Sequence, residues 1–121
     1  MIYKHSALDA IPLETMSDVI SRKLVYGERA MLAHVYLKKG AVVPEHHHES
    51  EQITWVLEGA LRFQLAGDEV VVNAGETLVI PSNMAHSAVA LEDTVDIDIF
   101  APIRQDWIEK DDSYLRAGTK A

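Results

Sequence analysis

Gly40-Ala41-Val42-Val43-Pro44-Glu45-His46-His47-His48-Glu49-Ser50-Glu51-Gln52, followed by Gly59, is the stretch on which the reading of the fold turns. In an extended segment alternate residues share a face, so His46 and His48 project together while His47 points away. Four residues on, Gln52 opens the next apolar run with a side-chain oxygen. His86 follows the turn Pro81-Ser82-Asn83-Met84-Ala85, where a further strand begins. Three imidazole nitrogens and one amide oxygen form a facial donor set for a divalent first-row metal with open positions.

Outward from this stretch the apolar residues recur with period two, in short runs divided by Gly, Pro, Asn or Asp. That is the pattern of a meandering or Greek-key β domain. Met31, Ala33, Val35 and Leu37 line one face of a strand that ends at Lys38-Lys39-Gly40. Gln52 to Leu57, the turn Glu58-Gly59, and a partner with Leu61, Phe63 and Leu65 inward read as a hairpin. Glu69 to Asn73, Thr77 to Ile80, Ala85 to Ala90 and Thr94 to Phe100 supply further strands, and Arg104 to Lys110 with the tail after it reads as weakly helical. Eight or more strands at spacings near ten residues predict a sandwich or barrel. His34 shares a face with Leu32 and Tyr36 and is expected to pack in the core.

The 121 residues suit one domain, 1–121, and the absence of cysteine excludes a disulfide framework and zinc–thiolate chemistry. A formal charge of −8 with no basic run disfavours nucleic acid and anionic membranes as partners. The longest uncharged stretch, Thr77 to Leu91, is shorter than the ~20 apolar residues of a membrane span. Met1-Ile2-Tyr3-Lys4-His5 carries no apolar leader, so a cytoplasmic location is expected.

On these residues the chain resembles the cupin superfamily. The first cupin motif is matched at Gly40, His46, His48, Gln52 and Gly59; the second is matched at Gly75, Pro81 and His86, with Asn83 in place of a glycine and Ala90 in place of an asparagine. Asn tolerates the left-handed region, so the turn before His86 is expected to survive. Ala90, on the face of His86 and Ala88, is expected to leave that wall open to a ligand. Alone, the triple histidine reads as a solvated loop and His86 as a packed residue; two spaced motifs reverse that reading. The resemblance implies an all-β double-stranded β-helix, a jelly-roll barrel, with a short C-terminal helical tail. It also implies one divalent transition metal (Ni, Mn, Fe, Co or Zn) held by His46, His48, Gln52 and His86. A neutral glutamine leaves the cation's charge uncompensated, which favours Lewis acidity and anions. Glu45, Glu49 and Glu51 could support the imidazoles, although solvent-facing positions are the simpler reading. Neutral imidazoles are needed for coordination, so occupancy is expected to fall over the pH range where free histidine protonates.

The strand Thr94 to Phe100 puts Val95, Ile97 and Ile99 on one face and Asp96, Asp98 and Phe100 on the other. Either the aliphatic face is inward, or Asp98 and Phe100 line the barrel mouth; periodicity leaves both open. The run Asp98-Ile99-Phe100-Ala101-Pro102-Ile103-Arg104-Gln105-Asp106-Trp107 resembles small pectin-degradation cupins that open 4,5-unsaturated uronates to linear keto acids. That resemblance implies Asp98 and Arg104 as catalytic groups, and Phe100 and Arg104 as substrate-binding ones. Asp98 suits general acid/base work and Arg104 a two-pronged grip on a carboxylate, with pairing to Asp106 as its alternative. Trp107 is expected to pack. The expected partner is a small anionic molecule, and a homodimer is expected from sheet edges with few blocking charges. A non-haem dioxygenase and a non-catalytic sugar-binding or sensor module are the competing functions.

Overall fold

The computed structural model describes residues 3–116; Met1 and Ile2, the start of the stretch read as carrying no leader, and residues 117–121 of the tail lie outside the described residues. The strands are β1 (Glu14–Thr15), β2 (Ile20–Tyr26), β3 (Met31–Leu37), β4 (Val42–His46), β5 (Glu51–Glu58), β6 (Ala60–Leu65), β7 (Asp68–Asn73), β8 (Thr77–Ile80), β9 (His86–Ala90) and β10 (Thr94–Ala101). After them come one turn of helix, α1 (Gln105–Ile108), and a 3-10 turn at Ser113–Leu115. The expected helical tail is thus shorter than Arg104 to Lys110 and is split in two. Among the described residues, no helix is long and apolar enough to cross a membrane.

Two antiparallel sheets face one another, ordered β1-β2-β3-β10-β5-β8 and β4-β9-β6-β7. Their inner faces hold the core: Met31, Ala33, Val35 and Leu37 on β3, Leu61 and Phe63 on β6, with Val56, Ile80 and Phe100. The strict alternation along β3 is the sequence pattern made physical, one face sealed and the other half-covered. Truncating a residue such as Phe63 to alanine would cost about 3–5 kcal/mol at a site this tightly filled.

The hairpin expected across Glu58-Gly59 does not form. β5 pairs with β10 and β8, and β6 pairs with β7 and β9, so Glu58-Gly59 instead carries the chain from one sheet to the other. Gly59 is required there: its φ is 86°, and a Cβ would collide with the carbonyl oxygen of Asp93 and the hydroxyl of Thr94. Turn residues announce a reversal without saying which sheet receives the next strand. The hairpin closed by Ala66-Gly67 between β6 and β7 is genuine.

β10 lies between β3 and β5, and its parity settles the open reading of that strand. Asp96, Asp98 and Phe100 are buried on the inner face, while Val95 and Ile97 are half-buried and Ile99 is exposed on the outer one. His34 belongs to the same outer face and is not in the core. It is half-buried against the Tyr36 ring, 4.9 Å between centroids. The outer face is itself apolar, which is why a hydrophobic pattern could not tell inside from outside there.

Candidate metal centre

The two sheets contribute different halves of the site. β4 and β9 place His46 and His86 as cross-strand partners, and the β4–β5 loop adds His48. β5 carries Gln52 as its second residue, with register partners Phe100 on β10 and Ile80 on β8. His47 is exposed, so the alternation of the three histidines persists past the end of β4. Asn83 adopts φ 63° and its N–H donates to the carbonyl of His48 at 2.8 Å, tying the second histidine stretch to the first.

The imidazoles are oriented by the backbone. Nδ1 of His46, His48 and His86 donates to the carbonyls of Pro44, Ser50 and Met84 respectively, each at 2.8 Å. With the proton on Nδ1, the lone pair resides on Nε2 in all three rings. One nitrogen from each of the three rings lies within 4.8 Å of the other two. Glu45, Glu49 and Glu51 are exposed and take no part in this orientation.

Gln52 is oriented as well. Its Nε2 donates to Thr54 Oγ1 at 2.9 Å and to Asp98 Oδ1 at 3.4 Å, which turns Oε1 toward His48 Nε2 at 3.1 Å. Two lone-pair atoms facing each other would repel unless something positive lay between them. Ligands bound at about 2.1 Å and at right angles around a cation are about 3 Å apart, the separation found here. Nε2 of His86 is buried with no hydrogen-bond partner. This donor set fits a divalent cation, and its neutrality suits a site that also attracts anions.

Burial, above all, lowers the pKa of all three histidines, His46 and His48 to about 4, with the nearby Arg104 guanidinium pushing the same way. The rings are therefore neutral at physiological pH without a metal. Protons would compete for the site nearer pH 4 than in the ordinary histidine range, which corrects the expectation from sequence.

Asp98 stands beside this centre, only 8% exposed, accepting from Thr54 Oγ1 at 2.7 Å. Burial raises its pKa against the hydrogen bonds from Asp96 and Thr54 and the positive charge of Arg104. Asp96, one alternation deeper, is raised well above the carboxylate range by burial and by the Asp98 charge. Burial thus favours the protonated form of both carboxyls, and more so at Asp96, where the Asp98 charge adds to it.

Arg104 is 4% exposed, with its guanidinium carbon 5.1 Å from the Phe100 ring centroid and 4.8 Å from that of Trp107. Its Nε–Nη2 edge is occupied: Nε donates to Asp106 Oδ1 at 3.0 Å and Nη2 to Asp106 Oδ2 at 2.8 Å. A two-pronged grip through that edge is thus not available, and the free donor is Nη1, buried without a partner. Trp107 packs edge-on to Phe100, as expected of it. The cavity of about 50 Å³ at the centre is lined by His46, Gln52, His86, Asp98, Phe100 and Arg104 among others. On the β9 wall Ala88 lines it, and Ala90 does not: Ala90 is sealed in the core, so it opens no wall.

Three residues at the site escaped the sequence reading. Thr54 follows Gln52 on the inward alternation of β5, a signal that was available. Asp96 shares the face of Asp98, but only depth in the barrel distinguishes their environments. Tyr114, whose ring lies 4.7 Å from that of His46, comes from a tail with no periodicity to place it.

The cupin domain family matches residues 33–100. The pectin degradation protein KdgF of Dickeya dadantii (strain 3937) is 31% identical over 103 residues, which cover 83% of this chain and 94% of that protein. Among solved structures, KdgF from Halomonas sp. is similar at 34% identity and a TM-score of 0.77, covering 82% of this chain and 94% of its own. An RmlC-like cupin from Shewanella frigidimarina NCIMB 400 superposes with a TM-score of 0.81 at 25% identity, covering 88% of this chain and 96% of that one.

Proposed function

This chain belongs to the cupin family, and from that premise we propose that it is a metal-dependent enzyme converting a small 4,5-unsaturated uronate to its open-chain keto acid. The observation that carries the reading is the convergence of three Nε2 lone pairs and the Gln52 carbonyl beside a buried carboxylate, Asp98. Similarity to two KdgF proteins, one named for pectin degradation, supports the substrate class.

His46, His48, Gln52 and His86 would hold one divalent cation, of the Ni, Mn, Fe, Co or Zn type. Such a cation, when bound, would draw electron density from substrate oxygens and stabilise negative charge developing on them. Arg104 Nη1 meets the substrate carboxylate, with the bulk of the sugar at the cavity mouth. Asp98 takes the proton from the anomeric hydroxyl; the bond from C1 to the ring oxygen breaks, leaving an aldehyde at C1 and an enolate at C5. Return of that proton from Asp98 to C4 turns the enolate into a ketone and restores the Asp98 carboxylate. Substrate and product are isomers, so no water or oxidant is consumed. Phe100 and Trp107 keep water from the reacting carbons.

Incubation of the metal-loaded protein with unsaturated galacturonate or mannuronate should abolish the enol-ether absorbance faster than buffer does. No acceleration would overturn the reading; oxygen uptake with a diketone or thiol would replace it with a dioxygenase.

The reading includes a homodimer. Val25, Leu32, Ile99, Ile53 and Val79 are successive register partners that form one apolar row across five strands of the outer face, with Trp55, 45% exposed, in the next row. A second copy of this chain would cover that row.

A further inference from the structure

Residues 104–116 run back over the barrel as a strap tied down by a closed ring of charges. Arg22 pairs with Glu14 at 2.8 Å and Asp112 at 2.6 Å, and Arg116 pairs with the same two acids at 2.7 Å each. The strap lays the Tyr114 ring on His46, with the ring planes 31° apart. The Tyr114 oxygen accepts from Arg104 Nη2 at 2.9 Å and from Trp107 Nε1 at 3.0 Å. A phenol has two acceptor lone pairs and one proton, so its acceptor capacity is spent. No acceptor for its own proton is present among the described residues. Arg104 Nη1, on the same guanidinium, is buried without a partner.

Buried donors left unpaired are costly and call for an explanation. Arg104 Nη1 is such a donor, and the half-buried Tyr114 hydroxyl that touches the same guanidinium donates to nothing among the described residues, beside a set of metal ligands that offers only lone pairs. What would satisfy both is an acceptor carrying negative charge. We propose that the Tyr114 hydroxyl is a second donor to the substrate carboxylate, beside Arg104 Nη1, and that it thereby selects acids over neutral sugars. The proposal rests on the uronate reading of the site. A phenol is protonated at neutral pH and so is fit to donate.

The test is calorimetric and does not depend on turnover. Metal-loaded wild-type protein is titrated with galacturonate and with galactose, its counterpart lacking the carboxylate. Tyr114→Phe keeps the ring on His46, so Ni²⁺ or Co²⁺ affinity should stay within about twofold. Galacturonate affinity should fall about tenfold or more, with galactose unaffected. Trp107→Phe removes a donor to the phenol and leaves its proton, so preference for the acid should survive. Equal loss in both variants would mean a loosened strap and overturn the proposal, as would unchanged galacturonate binding by Tyr114→Phe. Should Tyr114→Phe fail to fold, the 13C shift of Tyr114 Cζ in the unaltered protein decides. It moves on galacturonate binding if the hydroxyl donates, and an unmoved signal overturns the proposal. If wild-type protein neither prefers the acid nor opens unsaturated uronates, the functional reading itself fails; if it does both and only the variant result is negative, Tyr114 alone is excluded.

Discussion

The amide of Gln52 donates to the carboxylate of Asp98 at 3.4 Å, so the candidate metal ligand and the proposed proton carrier are in direct contact. The contact predicts opposite effects from one substitution. Gln52→Glu would supply an anionic ligand and tighten Zn²⁺ or Ni²⁺ binding, by about tenfold or more in calorimetry. The same change would replace a donor to Asp98 with a like charge, favouring the protonated form of Asp98. Turnover should therefore fall at least tenfold while metal affinity rises. Parallel gains in both would show that the charge of Asp98 is not what the reaction uses.

Asp98→Asn preserves shape and the Thr54 contact but cannot move a proton. Loss of a positioned acid or base costs about 10²–10⁴ in rate, so uronate opening should drop by that factor with metal content unchanged. In the parent protein the rate should rise with pH through a limb above the ordinary carboxylate range, since burial raises the Asp98 pKa and the base form is the one required. A limb near the usual aspartate value would place the working group elsewhere.

Much of this architecture was legible in the order of residues, for identifiable reasons. His46, His48 and His86 were readable because β alternation is local and because Asn83 could take φ 63° where a glycine stands in the motif. Gln52 followed from spacing. The hairpin at Glu58-Gly59 was misread because strand partnering is non-local: Gly59 accommodates its approach to Asp93 and Thr94, residues more than thirty positions away. The direction of Asp98 was undecided because both faces of β10 carry apolar residues. Tyr114 was invisible because ion pairs at Glu14, Arg22, Asp112 and Arg116, and no pattern in the tail, bring it to His46.

The histidines give a pH prediction for the metal-free protein. His46 and His48 titrate at about 4 when folded against 6.5 as ordinary histidines. Between those values the unfolded chain binds more protons than the folded one, so acid favours unfolding. Stability from this source is complete above about pH 7 and declines as the pH falls from 6.5 toward 4. Urea midpoints of the metal-free protein across this range should drop with acidity, and His46→Phe should flatten the slope. A midpoint indifferent to pH over this range would contradict the buried neutral state of these rings.

The outer face makes a separate prediction. Trp55→Asp sets a charge beside the row from Val25 to Val79 without touching the cavity, since Trp55 points away from it. Light scattering should show a dimer for the parent chain and a monomer for the variant, with equal metal affinity. A monomeric parent would overturn the homodimer.

Arg22 and Asp112 are both fully buried and pair at 2.6 Å, while Arg22 Nη2 also donates to the Trp107 carbonyl at 3.3 Å. Removing one member of a buried pair strands the other charge, at about 3–5 kcal/mol, whereas replacing both by apolar residues of similar size is often neutral. Asp112→Ala should therefore lower the unfolding free energy by about that amount, and Arg22→Met with Asp112→Leu should recover most of it in urea titrations. The strap depends on this pair and carries Arg104 and Tyr114, whereas His46, His48, Gln52 and His86 lie on strands and the loop between them. Asp112→Ala should accordingly weaken galacturonate binding and leave Ni²⁺ affinity nearly unchanged. Loss of metal binding in step with the acid would mean that the strap supports the histidines too, and that the site has one structural unit in place of two.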